Sequence, residues 1–311
     1  MKKYCHRALY IAQTAFTQRA DSLTKHVASA SKHEIDGIHD LRVASRRLRA
    51  ALQDMRPQYR KRAIKPLQKR IRAITRGLGK ARELDVTLEL LASMGNDSST
   101  SAQKAVSHLQ NELSALRAGE SAAVDASCAL VLENTFESEC RDLAVNLKHT
   151  ERCFLKQSSD TLSDKYDDLC AAYRTWQKSK AETDLHALRI AFKKMRYTCE
   201  ICREVYGEQM NALIETLKGV QEALGSWNDY RVAREYAIGC LRGEKIVTPG
   251  ADELIGRIDA RVAHAAAHFI EMADGIFSKH GQSGIRRMFE RPAVACCGHG
   301  TSKQWKREKH S

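Results

Sequence analysis

The 311-residue chain has few aromatic residues, little proline and no pattern typical of β-strands. Aromatic residues make up 6% of it, only 4 residues are proline, and no alternating runs of valine, isoleucine and threonine stand out. Alanine, leucine, arginine, lysine and glutamate dominate instead, and these residues favour helices. The composition therefore predicts an all-α protein.

The chain also lacks the features of membrane and secreted proteins. No apolar run approaches the length of a membrane span, and no secretory leader precedes the 10 scattered cysteines. We therefore expect a soluble cytoplasmic protein with reduced thiols and no membrane partner. Cys199 and Cys202 have redox-motif spacing, but their helical pattern favours core thiols. Cys296, Cys297 and His299 form only a weak metal-binding pattern, so no metal or other cofactor is predicted.

The net charge of +13 is unevenly distributed along the chain. The stretch from His39 to Lys80 has 14 Lys and Arg residues against two Asp, and the stretch from Arg286 to Ser311 has seven against two Glu. A concentrated positive field favours a polyanionic partner such as nucleic acid, polyphosphate or an acidic membrane surface. The alternative is a solvated helix face, against which a repeat of the same pattern would argue.

Two segments 147 residues apart repeat each other, and each places cations beside an apolar row. In both segments apolar residues recur at helical intervals, and the cations lie one position further round the helix. A repeated cationic row along a core boundary indicates a site for a long anion. The two rows are His39, Arg42, Arg46 and Arg49, and His186, Arg189, Lys193 and Arg196.

Hydrophobic periodicity predicts a similar order of helices in both halves of the chain. The first half has predicted helices over residues 4–28, 34–55, 65–79, 83–91, 102–118 and 121–147. The second half has them over 158–178, 184–206, 209–224, 229–241 and 250–279. Glycines are expected to end the third helix of the first half. That helix carries Lys69, Arg72 and Arg76 on a neighbouring face. In the second half Lys218 aligns with Arg72, but Glu222 aligns with Arg76.

The two repeated segments carry a family resemblance. The pattern His-x-x-Arg-[Val/Ile]-x-x-[Arg/Lys]-[Arg/Lys]-x-Arg, present twice and each time followed by an amphipathic helix and Leu-Gly, resembles the conserved histidine α-helical (CHAD) domain. The Arg-Glu-Leu-Asp-Val run from Arg82 to Val86 and the pair Asn228-Asp229 match its second signature. The resemblance covers about residues 5–280. It implies two pseudo-symmetric helical bundles whose basic surface or central cavity binds inorganic polyphosphate, and an association with polyphosphate granules.

These observations lead to a specific prediction. We expect a CHAD-like helical domain over residues 1–290, with repeat halves at about 1–150 and 151–290, and a basic, flexible tail over 291–311. The predicted polyphosphate-binding residues are the two cationic rows together with Lys69, Arg72, Arg76 and Lys218. Nearby arginines should lower the pKa of His39 and His186, and a bound polyanion should raise it. Binding should therefore be tighter at mildly acidic pH.

Two alternatives stay open, namely an enzyme acting on polyphosphate or a related phosphoanhydride, and a nonspecific nucleic-acid-binding protein. Glu83, Asp85, Asn228 and Asp229 lie at predicted helix starts, where capping and the helix dipole explain them. No catalytic site is therefore predicted. The cationic rows contain almost no aromatic residues for base stacking, which argues against nucleic acid.

Overall fold

A computed structural model describes residues 6–95, 99–145, 154–242 and 248–293 of the chain. These residues form eleven α-helices and one short 3-10 helix, Arg56–Gln58, and none of them forms a β-strand. The prediction of an all-α fold is confirmed. The helices are α1 (His6–Ala30), α2 (Ile35–Asp54), α3 (Lys61–Gly95), α4 (Thr100–Gly119), α5 (Ser121–Leu132), α6 (Thr135–Val145), α7 (Phe154–Ser179), α8 (Glu182–Tyr206), α9 (Glu208–Leu241), α10 (Ala251–Phe277) and α11 (Lys279–Phe289).

The predicted break in the middle of α3 is wrong, because one helix covers both predicted segments. Glycine destabilises a helix interior by only about 1 kcal/mol relative to alanine, so buried packing on both sides outweighs it. Gly77 has a packing role, because a β-carbon there would lie 3.1 Å from the carbonyl oxygen of Ala123 on α5. The same correction applies to α9, which continues through the predicted break after Leu224.

Two predicted helices end early in the structure, and each is followed by a further helix. The helix expected over 121–147 is divided into α5 and α6, since Glu133 has an extended backbone with ψ of 128°. The last helix was expected to reach Lys279, but α10 ends at Phe277 and α11 follows. The hydroxyl of Ser278 caps α11 by accepting a hydrogen bond from the Gly281 amide at 3.1 Å.

One apolar core extends from Phe16 in α1 to Phe289 in α11. Helix α1 packs on α2, α2 on α3, α7 on α8, and α8 on α9. Leu41 and Leu48 of α2 are fully buried, and each such side chain stabilises the fold by about 1.5–3 kcal/mol. The helices α1–α3 of the first half also contact helices of the second half, since α2 contacts α8 and α3 contacts α9. These contacts place the two repeated segments next to each other.

The described cysteines are free, and all of them except Cys240 are buried. Burial raises the pKa of both Cys199 and Cys202, so these thiols are protonated and unreactive at neutral pH. Cys296, Cys297 and His299, like most of the predicted tail, lie outside the described residues. Within the described ranges, no helix combines the length and the hydropathy needed to cross a lipid bilayer.

Candidate functional site: a cleft between the two repeated helices

A cleft of about 540 Å³ lies where α2 and α8 meet α3, α7 and α9. Its lining has nine Lys and Arg residues against three acidic residues, Asp54, Glu83 and Asp229. Because both repeated helices contribute, the cleft joins the two cationic rows that the sequence separates by 147 residues. The nine cations are Arg42, Arg46, Arg49, Arg82, Lys165, Arg189, Lys193, Lys194 and Arg231.

Helix α2 presents the whole first row to the cleft. Its apolar face is buried in the core, so the row one position further round reaches the boundary between core and cleft. Ser45 interrupts the apolar face, and the structure shows why this is tolerated. Its buried hydroxyl donates to the carbonyl of Arg42 at 2.8 Å and accepts from the hydroxyl of Thr75 on α3 at 3.0 Å. The α2 residues that line the cleft include His39, Arg42, Arg46 and Arg49.

Helix α8 presents only part of the second row. His186, Arg189 and Lys193 line the cleft, but Arg196 does not. The guanidinium of Arg196 is instead 3.5 Å from Glu200, four residues along the same helix, and its Cζ lies 5.2 Å from the ring centroid of Tyr197. Its counterpart Arg49 has a glutamine at the fourth position and stays in the cleft.

The remaining predicted cations lie outside the cleft. Lys69, Arg72 and Arg76 are exposed on α3, and Lys218 is exposed on α9 with its ammonium 3.6 Å from Glu215. Arg72 is nevertheless close enough to Arg49 to act electrostatically on it. Binding by these four residues stays a prediction.

The cations from α2 and α8 are close-packed and short of counter-charges. Among the described residues, none of the Lys and Arg side chains that α2 and α8 present to the cleft forms an ion pair. The buried Nε atoms of Arg42 and Arg189, which are equivalent in the repeat, also have no hydrogen-bond partner there. An unpartnered buried donor costs about 1–3 kcal/mol, and an anion that accepts its hydrogen bond would remove this cost.

Mutual repulsion is evident in the pKa values of the cleft. Burial, followed by the charges of Arg46 and Arg189, lowers the pKa of Arg42 to about 10. Burial, followed by Arg46, Arg189 and Arg42, lowers the pKa of Lys193 to about 5. The cleft therefore has a strong positive field even though one of its amines is neutral at neutral pH.

Both histidines at the head of the rows also have lowered pKa values. Burial is the main cause for His39, followed by the charge of Arg82, while Asp40 opposes the shift. Burial is again the main cause for His186, and its hydrogen bond to Asn228 opposes the shift. The direction agrees with the expectation from the sequence, but burial contributes more than the nearby arginines.

Several cleft residues were missed at the sequence level. Arg82 and Arg231 lie beyond the glycines at which the sequence predicts α3 and α9 to end. Their position on the cleft wall could therefore not be predicted from helical spacing. Lys194 is part of the repeated motif and could have been found there. Lys165 comes from α7, and no sequence signal indicates it, because only the packing of α7 on α8 brings it to the cleft.

The second-signature residues do not cap helices, because they lie in the middle of α3 and α9. Asp85 is buried and accepts a hydrogen bond from Arg117 of α4 at 2.6 Å. Glu83 accepts one from Tyr236 of α9 at 2.8 Å and lies 3.0 Å from the ammonium of Lys80. These residues join helices or face the cleft. No group of three or more potential metal ligands occurs within the described part of the chain.

Comparison with known proteins agrees with the resemblance in the motifs. The sequence model of the CHAD domain matches residues 14–237. This protein belongs to the CHAD domain family. A search of curated proteins returned no matching sequence.

Solved structures support the same fold for this CHAD domain. The crystal structure of the CHAD domain from the plant Ricinus communis has a TM-score of 0.60 at 19% identity, over 93% of this chain and 92% of that chain. The structure of PptA from Streptomyces chartreusis has a TM-score of 0.66 at 17% identity, over 85% of this chain and 98% of that chain. At these identities the likeness concerns the fold alone.

Proposed function

We propose that this CHAD domain binds inorganic polyphosphate in the α2–α8 cleft, as a binding protein rather than an enzyme. The observation that carries the proposal is the convergence of seven of the eight residues of the two cationic rows on one cleft, where none of their Lys and Arg side chains has an ion pair within the described part of the chain. Membership in the family supports the same ligand class. Association with polyphosphate granules would follow from this binding.

The geometry favours a linear polyanion over a single phosphate. Side chains one turn apart on a helix are about 5–6 Å from each other, so a row of them can contact successive parts of a chain. Arg42, Arg46 and Arg189 offer planar guanidinium groups that can grip two oxygens at once. A bound polyanion would also relieve the repulsion between them, so it should raise the stability of the folded protein.

We also infer that α2 and α8 are equivalent through an internal duplication of the chain. Its two halves, at about 1–150 and 151–290, would be related by a pseudo-twofold axis. Support comes from the aligned motifs and from the same order of packing, α1 on α2 on α3 and α7 on α8 on α9. The equivalence is incomplete, because Arg49 lines the cleft and Arg196 does not. The first half would therefore hold more of the ligand.

Two observations weigh against the alternatives. Tyr197 is the one aromatic residue among those that line the cleft, whereas sequence-tolerant nucleic-acid binding uses several stacked aromatic side chains. Glu83 and Asp229 do reach the cleft, which favours a phosphoanhydride-processing enzyme as the second candidate. Glu83 is, however, already engaged by Lys80 and Tyr236. Phosphate release from polyphosphate with added magnesium would identify such an enzyme.

The test is a competition between long-chain polyphosphate and duplex DNA, matched in phosphate, across a salt series. The cleft variant Arg42→Gln/Arg46→Gln/Arg189→Gln is compared with wild type. The control variant Lys104→Gln/Lys178→Gln/Arg261→Gln removes three exposed cations that do not line the cleft. Thermal unfolding checks that each variant is folded.

Polyphosphate should outcompete DNA and survive physiological salt in wild type and in the control variant. The cleft variant should bind polyphosphate at least tenfold more weakly. The slope of log K against log salt concentration should be shallower by about 2, because three phosphate contacts are removed. Equal, weak binding of both polymers that the cleft substitutions do not change would overturn the proposal. The field would then attract polyanions only through nonspecific counterion release.

A further inference from the structure

A further row of cations, distinct from the two rows of α2 and α8, lies outside the cleft on the N-terminal half of α3. Its members are spaced by four, four, three and four residues, so they occupy one face of the helix. Each of them is exposed. The row consists of Lys61, Lys65, Lys69, Arg72 and Arg76.

These charges are not used by the fold. Among the described residues, none of the five forms an ion pair with an acidic side chain. Arg70 lies on a different face of the same stretch, and its guanidinium is 2.9 Å from Glu133 and 3.3 Å from Glu139. On α3, therefore, Arg70 serves the fold by contacting α6, whereas the five cations of the row face the solvent.

The row adjoins the cleft at one end. Thr75, between Arg72 and Arg76, lines the cleft, and so does Gly79, one turn further along α3. On the other side, Arg49 is the last cation of the α2 row. Burial, then the charge of Arg46 and then that of Arg72 lower its pKa, so Arg72 is near enough to act on it. The backbone of α2 is also held to α3 here, since Gln68 donates to the carbonyl of Leu52 at 3.4 Å. An anion leaving the cleft past Arg49 therefore meets Arg72 next.

The second half has no equivalent row. At the repeat offset of 146 residues, Lys65 corresponds to Asn211, Lys69 to Glu215, and Arg76 to Glu222. Lys218, which corresponds to Arg72, has its ammonium 3.6 Å from Glu215. The field on α9 is therefore close to neutral, and it would not attract a chain of phosphates.

We propose that a polyphosphate chain leaves the cleft in one direction only, past Arg49 and along the exposed row of α3, so that this row selects long chains over short ones. The inference rests on the proposed function of the cleft and adds a direction and a length preference to it. From Lys61 to Arg76 the row is about 22 Å long, at about 1.5 Å per residue. Tripolyphosphate fits within the cleft and would not reach the row.

The experiment measures the affinity of the full chain for tripolyphosphate and for long-chain polyphosphate at physiological salt. The row variant Lys65→Gln/Lys69→Gln/Arg72→Gln is compared with wild type, with the cleft variant and with the control variant defined above. Glutamine is a good helix former and the three positions are exposed, so the row variant should unfold at the wild-type temperature.

The row variant should bind long-chain polyphosphate on the order of tenfold more weakly, with a salt slope shallower by about 2, and should bind tripolyphosphate as wild type does. Equal losses for both ligands, or no loss for either, would overturn the one-sided path and leave the cleft proposal intact. Failure of the cleft variant to weaken either ligand would instead overturn the proposed function. The two failures are therefore distinguishable.

Discussion

The Nδ1 atom of His186 lies 3.1 Å from the Oδ1 atom of Asn228. The amide nitrogen of Asn228 donates to Asp229 at 3.3 Å, so the amide oxygen is the atom that faces the imidazole. An amide oxygen can only accept, which places a hydrogen on Nδ1 and makes Nε2 the acceptor nitrogen of the neutral ring. Among the described residues His39 has no such partner, since Arg82 occupies the position equivalent to Asn228. Burial, followed by the charge of Arg82, lowers the pKa of His39.

We expect the substitution Asn228→Ala to release this constraint. Its hydrogen bond raises the pKa of His186 against the effect of burial, so the variant should show a lower pKa and a mixture of tautomers. NMR titration of the imidazole nitrogens would measure both. Asn211→Ala, near the N-terminal end of α9 and away from His186 in the cleft, should leave His186 unchanged. An unaltered titration in Asn228→Ala would contradict the assignment.

Lys193 should take up a proton when a polyanion binds. Its pKa is lowered to about 5, so the amine is neutral in the empty cleft, and a bound polyanion would raise that pKa. Calorimetric binding enthalpies in two buffers of different ionisation enthalpy should therefore differ. The substitution Lys193→Met should reduce this difference by the share that Lys193 contributes, while Lys194→Met, on the same cleft wall, should retain it in full.

The same group makes the stability of the empty protein depend on pH. Between pH of about 5 and the ordinary lysine pKa of 10.5, the unfolded state carries a proton on Lys193 that the folded state lacks. The free energy of unfolding should therefore rise with pH across this window. Lys193→Met should be more stable than wild type at neutral pH, and the gap should close in alkaline solution. A constant gap in urea denaturation would count against this.

Affinity for polyphosphate should increase as the pH falls from about 8 to about 6. Both His39 and His186 have lowered pKa values in the empty cleft, and an added polyanion favours their charged forms. The double variant His39→Gln/His186→Gln should bind with a weaker dependence on pH, the remainder arising from Lys193. Fluorescence anisotropy at the two pH values would measure this, and equal wild-type affinities would refute it.

The buried ion pair between Asp85 and Arg117 should be a stabilising contact and not part of the binding site. Asp85→Ala would leave the guanidinium of Arg117, which is 14% exposed, without its partner, and should lower the free energy of unfolding by about 3–5 kcal/mol. Polyphosphate affinity should be retained below the unfolding temperature. The exposed pair of Glu137 and Arg141 is the control, and Glu137→Ala should have little effect.

Two nearby glycines of α3 should respond in opposite ways to alanine. Gly79→Ala meets no atom within 4 Å and should stabilise the protein by up to about 1 kcal/mol, because the helix is continuous there. Gly77→Ala would collide with the Ser127 hydroxyl and destabilise it. Adding Ser127→Ala should recover part of the loss in urea denaturation. Destabilisation by Gly79→Ala would indicate a break in α3.

Much of the fold could be predicted because helical periodicity is a local property. The apolar row of Leu41, Leu48 and Leu52 is buried as its spacing indicates, and the bounds of α2 and α8 differ from the prediction by no more than two residues. The continuity of α3 and α9 could not be predicted. Its cause is not local, since the packing of α3 on α5 outweighs the cost of Gly77.

The sequence by itself determined the helical class, the repeated cationic rows and the concentration of charge between His39 and Lys80, because all three depend only on residue type and spacing. Only the tertiary structure decided which cations share a cleft. Helix packing added Lys165 and Arg82, and the ion pair with Glu200 removed Arg196. The physical reason is that the orientation of a side chain and its ion-pair partners depend on the neighbouring helices. The periodicity within one helix carries no information about them.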